Sequence, residues 1–257
     1  MVVDYYIRFN LIIKHVTILQ YTSIKNRQNQ QLSIILLFLG CFMFILNFLS
    51  QPLFAAIAVL GLLIAITIHE FAHAWCANYL GDPTAKKLGR LTLNPLSHLD
   101  PVGTIFLLVA GFGWGKAVPY NPSNLKSDAD EIKVALSGVA ANLLLALVLG
   151  IPLRIATFQN YPIDSNIWLM GLELIVEMNL VLIAFNIIPI PPLDGSKVLM
   201  HFMSFETRMS FERIGPLLLL ALIVAGSMFN TPILVQFMEP VIRFLSFIVK
   251  GTYTSIF

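Results

Sequence analysis

His69, Glu70 and His73 stand in the stretch AITIHEFAHAWC, residues 65–76, inside a run that otherwise reads as membrane. The two histidines are four apart, so on a helix of 3.6 residues per turn both imidazoles share one face and can meet one ion. Glu70 lies about 100° round the same helix. It can reach a water held by that ion, which suits two zinc ligands with a general base beside them. Ionisable groups inside a span are costly and mark functional sites by default. The plainer alternative is a pair of buried histidines satisfied by hydrogen bonds.

A catalytic zinc wants three protein ligands and one open position. His15, His98 and His201 complete the histidines, and none lies within a second span. Asp194, in FNIIPIPPLDG at 185–195, is the better third ligand. Pro189, Pro191 and Pro192 end the helix before it, and Gly195 permits a sharp bend, so the carboxylate can turn inward. A turn or N-cap role is the alternative for Asp194.

These residues need elements to hold them. Of 257 residues, 57% are hydrophobic and 12% charged, against about 25% charged in soluble domains. The chain is therefore an all-α membrane protein, a helical bundle. Segments 32–50 (A), 53–80 (B), 134–153 (C), 168–188 (D), 214–230 (E) and 233–249 (F) give about six spans. Segment F is weakened by Glu239, Pro240 and Arg243, and E with F could form a shallow hairpin. The run 102–112 is half a span, and reads as a re-entrant or interfacial piece between the second and third spans. Residues 1–31 form a polar or interfacial arm. A translation start at Met43 would remove segment A. Residues 32–257 make one domain with its core at 53–200.

The basic residues fall on alternate links: Lys86, Lys87, Arg90, Lys116, Lys126 and Lys133 between B and C, but only Arg154 between C and D. This pattern predicts both termini and the B–C link in the cytoplasm, in a bacterial-type cell membrane. His69 is 16 residues into B, roughly 24 Å from its outer end, and D ends at the same depth, which brings Asp194 to the histidines. A net charge of +2 without a basic stripe excludes nucleic acid as a partner. Cys41 and Cys76 suggest no disulfide framework.

Four further features carry chemistry. GWGKAVPYNP, residues 113–122, is extended, since Pro119 and Pro122 forbid helix. It could pair with an unwound substrate as an added strand, or be a loop anchored by Trp114 and Tyr120. Asn142, near Ser137 and Gly138 in an apolar span, could bind a peptide carbonyl or oxyanion, or glue helices together. Glu173 and Glu177 share a helix face, and should meet a polar cavity or share a proton. Cys76 packs as a small hydrophobe, and His98 is a loop cap or lies at the site's mouth.

In order along the chain, HEFAH, GRLTLNPLSHLDPVGT, GWGKAVPYNP, SGVAANLLLA and FNIIPIPPLDG resemble the site-2 protease family of intramembrane zinc metalloproteases. The resemblance runs over about residues 44–200. It implies His69, His73 and Asp194 as ligands of one zinc ion and Glu70 as base. It also implies a substrate path lined by Asn142 and Asn186, to which Trp114 on the extended stretch is added. The implied substrates are transmembrane proteins, cleaved within their spanning helices in the lipid bilayer. Gly115 and Ala117 stand where relatives often carry Ala and Pro. No stretch here accommodates the PDZ or CBS domains of some relatives. Two rivals use the same residues: a membrane metal-binding or transport protein that is no enzyme, and a diiron oxidase. The first lacks a polar route through the outer half of B, and the second needs a larger histidine set.

Overall fold

The computed structural model describes residues 52–110, 113–229 and 233–253. Among them the chain is helical, with one isolated antiparallel bridge, Leu99 to Gly115. Three helices are long and apolar enough to cross a membrane: α1 (Pro52–Leu80), α4 (Asp128–Phe158) and α5 (Ile167–Asn186). They pack on one another as the core of the bundle. Between α1 and α4 lie α2 (Thr84–Lys87) and α3 (Pro101–Ala110). After α5 come α6 (Gly195–Met200), α7 (Phe205–Phe229) and α8 (Ile233–Lys250).

The buried face of α1 explains where its histidines point. Gly61, Ala65, His69, Ala74 and Ala77 are buried. Small residues on one helix face let neighbouring backbones approach closely. His69 follows Ala65 by four positions and so faces inward, toward α4 and α5. A large residue in its place would hold the helices apart.

Expected segments B, C and D form α1, α4 and α5, and A lies outside the described residues. Segments E and F fall in α7 and α8, outside the three candidate spans found among the described residues. The helix α7 begins before segment E, at Phe205, and takes in Arg208, Glu212 and Arg213, while α8 carries Glu239, Arg243 and Lys250. The half-span 102–112 contributes α3, whose ten residues reach only about 15 Å.

One part of the expected layout is corrected. By putting both termini and the B–C link on one side, it would place Lys250, beyond segment F, at the same end of the bundle as the histidines. The structure buries Lys250 completely, with Nζ 3.0 Å from Glu173 and in contact with Glu177. The α8 carbonyl of Ile248 meets Arg154. Arg154 is 12 residues beyond Asn142 on α4, so the end of α8 lies at the pole of the bundle remote from His69. Glu173 and Glu177 thus share a lysine rather than a proton or a polar cavity. An unpaired carboxylate at this depth would cost several kcal/mol, and the lysine removes that cost.

Asp82 ties the loops to the end of α1. Its carboxylate accepts hydrogen bonds from Thr84 Oγ1 (2.5 Å), Thr84 N (3.1 Å), Asn121 N (2.6 Å) and Asn124 Nδ2 (2.7 Å). Burial acts to raise this carboxyl, and the four donors outweigh it and hold it below the ordinary carboxylate range. The Asp82 contribution is therefore present above the ordinary carboxylate pKa and lost as pH falls through the lower folded value. Asp82→Asn should cost about 2–3 kcal/mol at pH 7, the scale of hydrogen bonds to a charged group. The gap in thermal unfolding between wild type and variant should narrow below about pH 4. A gap that is constant down to pH 2 would contradict this role.

Candidate metal centre

Two elements converge on one point. His69 and His73 come from α1, and Asp194 from the turn between α5 and α6. Asp194 Oδ2 lies 3.0 Å from His69 Nε2 and 3.3 Å from His73 Nε2. The two rings meet edge to face, 4.5 Å between centroids. All three candidate ligand atoms lie within 4.8 Å of one another.

The α5–α6 turn delivers Asp194 as the prolines suggest. Asp194 occupies the N-cap position of α6, yet its side chain makes no capping bond. Gly195 matters here through space rather than a special φ. A Cβ on it would stand 2.1 Å from the Ile187 carbonyl oxygen. Only glycine lets α6 start so close against the end of α5.

The other ring nitrogens fix what the site can hold. His69 Nδ1 lies 2.8 Å from Asn142 Oδ1, and His73 Nδ1 lies 2.7 Å from the Val134 carbonyl. The Val134 carbonyl can only accept, so the proton of neutral His73 is on Nδ1. The same holds for His69, because the Asn142 amide nitrogen donates to Ala65 O (3.1 Å) and Asn179 Oδ1 (2.8 Å). Both Nε2 atoms then present lone pairs to Asp194 Oδ2, itself buried without a donor. Three acceptors aimed at one another form a cage for a cation.

Zinc fits this cage. Ligands about 2.0–2.2 Å from a tetrahedral ion stand about 3.3–3.6 Å apart, close to the 3.0 and 3.3 Å between Asp194 and the two histidines. The cradle is also shaped by an absence. A Cβ at Gly138 of α4 would stand 2.6 Å from His73 Nε2 and 2.7 Å from His69 Cε1. The imidazoles occupy the space that any other residue at 138 would fill.

Glu70 stands beside this cage. Its Oε2 accepts the backbone N–H of Val118 at 2.8 Å. Val118 belongs to the extended stretch 113–121, which is held at Lys116 by two further bonds. Lys116 N donates to His98 O at 2.8 Å, and Arg90 donates to Lys116 O at 2.6 Å. His98 is fully buried, with Nε2 2.8 Å from Thr92 O, and serves the loop rather than the cage. Cys76 is not part of the ligand group.

The candidates for substrate contact separate. Asn142 is fully buried and its amide is committed to His69, Ala65 and Asn179. This corrects the expectation that it lines an open path: it orients a ligand histidine instead. Asn186 closes α5, with its amide donating to Leu182 O of the same helix at 3.0 Å. Trp114 is 47% exposed on the extended stretch. Sequence reasoning missed Asn179, although an amide amid an apolar span is the signal that singled out Asn142. It also missed Val134 and Val118, whose contribution is backbone and leaves no trace in residue type.

Comparison with known proteins agrees with this geometry. Over 165 residues the chain is 39% identical to a Bacillus subtilis protein named "Putative zinc metalloprotease YwhC", covering 60% of this chain and 72% of that one. The chain belongs to the site-2 protease family. Two mycobacterial members, each named "Putative zinc metalloprotease Rip2", match as well. The Mycolicibacterium smegmatis protein is 32% identical over 158 residues, covering 59% of each chain. The Mycobacterium tuberculosis protein is 31% identical over 167 residues, covering 62% of this chain and 63% of that one. The chain thus spans about three-fifths of the length of these mycobacterial relatives. No family model and no solved structure matches it. The names of these relatives support a zinc-dependent protease function, and the apolar helices make it a membrane protein.

Proposed function

We propose that this chain is an intramembrane endopeptidase that hydrolyses peptide bonds in or near the spanning helices of other membrane proteins. The observation that carries this reading is the cage of His69, His73 and Asp194 with Glu70 beside it, set within a bundle of apolar helices. Zinc held by the three ligands would polarise the substrate carbonyl and supply an activated water.

The chain's own residues do the rest. Glu70 accepts a proton from the attacking water and returns one to the leaving amine as the C–N bond breaks. The Val118 N–H restrains the carboxylate, so it meets the water in one orientation. Asn142 and the Val134 carbonyl keep each imidazole in the tautomer that offers Nε2 to the ion. A substrate helix must unwind before its amides can be attacked, and its freed backbone groups must find partners in lipid. The extended stretch 113–121 can accept such a segment as an added strand. The basic residues of the α1–α4 link support a cytoplasmic setting for the metal end of the bundle.

Reconstituted protein, given membrane proteins as substrates and analysed by mass spectrometry of the fragments, tests this. Cuts should fall within or beside spanning segments. They should cease on removing zinc with a chelator, return on adding zinc back, and be absent with Asp194→Ala. Cuts confined to soluble domains, or cleavage indifferent to chelation, would reject this reading.

A further inference from the structure

Glu131, in the first turn of α4, is 6% exposed and draws donors from three other elements. Tyr120 of the extended stretch donates its hydroxyl at 2.8 Å. Lys197 Nζ from α6 lies 3.2 Å away, and Arg208 of α7 is in direct contact. Glu212 of α7 completes the charge balance, 2.9 Å from Lys197 and 4.0 Å from Arg208. Two carboxylates face two cations, and Glu131 is the buried one.

Its position along the chain gives this cluster meaning. Lys197 is three residues past Asp194, and its backbone N–H donates to the Asp194 carbonyl at 3.0 Å. Tyr120 is two residues past Val118, which holds Glu70. Glu131 is three residues before Val134, which holds His73. One carboxylate thus touches the element that carries the third ligand and the element that restrains the base, from the helix that orients both histidines. Burial and the neighbouring Glu131 push the Tyr120 phenol far above its ordinary range, so its hydroxyl stays a donor. Arg208, bonded to the same carboxylate, is held charged.

We propose that Glu131 is a positioning residue with two arms, one through Lys197 that sets Asp194 in the metal cage and one through Tyr120 that sets the extended stretch against Glu70. This rests on the metalloprotease reading above, but its first arm concerns the metal alone. The arms make different demands on the molecule. Metal geometry depends on the Lys197 arm, and productive seating of a peptide depends on the Tyr120 arm.

The test uses full-length protein in detergent, loaded with cobalt for its visible spectrum and with zinc for release into a chelator. Glu131→Gln keeps the size of the side chain and removes its charge. It should alter the cobalt spectrum and speed zinc release roughly tenfold or more, the scale of outer-shell losses. Lys197→Met cuts the metal arm alone and, being at a half-exposed position, guards against a folding defect in the first variant. It should reproduce both changes. Tyr120→Phe should leave spectrum and release as in wild type, and raise KM for a membrane substrate with little change in kcat. Arg208→Ala loosens α7 only and should match wild type in the metal readouts. A wild-type spectrum and release rate in both Glu131→Gln and Lys197→Met would overturn the proposal. So would loss of metal in Tyr120→Phe, or equal loss in Arg208→Ala, since the cluster would then be a general staple. A chain that cleaves nothing while Glu131→Gln still shifts the cobalt spectrum would reject the protease reading and leave the metal arm standing.

Discussion

Glu70→Gln should keep its zinc and lose its turnover. The carboxylate is on the ligand helix but off the ligand face, and the ligand group consists of His69, His73 and Asp194 without it. Glutamine preserves the size of the side chain, and its amide oxygen can still accept from Val118, so the extended stretch stays docked. What disappears is a group able to take a proton from water. General bases contribute roughly 10²–10⁴-fold, so cleavage of a membrane substrate should fall by that factor or beyond detection. Zinc per chain, measured on the same samples, should equal that of wild type. Near-normal cleavage would remove Glu70 from the mechanism. Zinc lost together with activity would make Glu70 a ligand and break the assignment of Asp194 as the third.

The second large effect belongs to a residue with no functional group. Gly138→Ala adds one methyl group, which would lie 2.6 Å from the ligand nitrogen of His73. No contact of that kind is tolerated, and α4 cannot retreat cheaply because Asn142 and Val134 bind it to the same histidines. The rings must swing away from Asp194. Zinc per chain should fall to near zero, and cleavage with it. Helix content should hold, because alanine favours a helix over glycine by about 1 kcal/mol. Metal analysis beside circular dichroism separates the two effects. Full zinc occupancy in this variant would mean that α4 stands farther from α1 than described.

The grouping of the three candidate ligands was legible in the sequence for physical reasons. A spacing of four on a helix puts His69 and His73 on one face, and the prolines before Asp194 end α5 at the right depth. The groups that orient these ligands were not. Val134 and Val118 act through a carbonyl and an amide, which every residue possesses, so only coordinates select them. Asn142 was read as a substrate contact because an amide in an apolar span can serve either a substrate or a neighbouring helix. The choice depends on what lies opposite, and His69 lies there. Lys250 was misplaced because the positive-inside rule counts lysines as loop charges. It has no means of seeing a lysine buried against Glu173 and Glu177 from another helix. The runs read as segments E and F contribute to helices, but apolarity over 17 residues did not reveal that α7 begins earlier, among charges.

The chain of amides from Asn179 through Asn142 to His69 crosses three helices at one level. Apolar helices in lipid can slide or rotate past one another with little change in contact energy, since one leucine packs much like the next. This ladder acts as a key cut for one register. Moving α1 by a single residue would strand His69 and leave Asn142 with Asn179 alone, where lipid offers no replacement partners. Two of its rungs use no metal, so the helices can find their alignment before an ion arrives. The scaffold then selects the ion, rather than the ion assembling the scaffold.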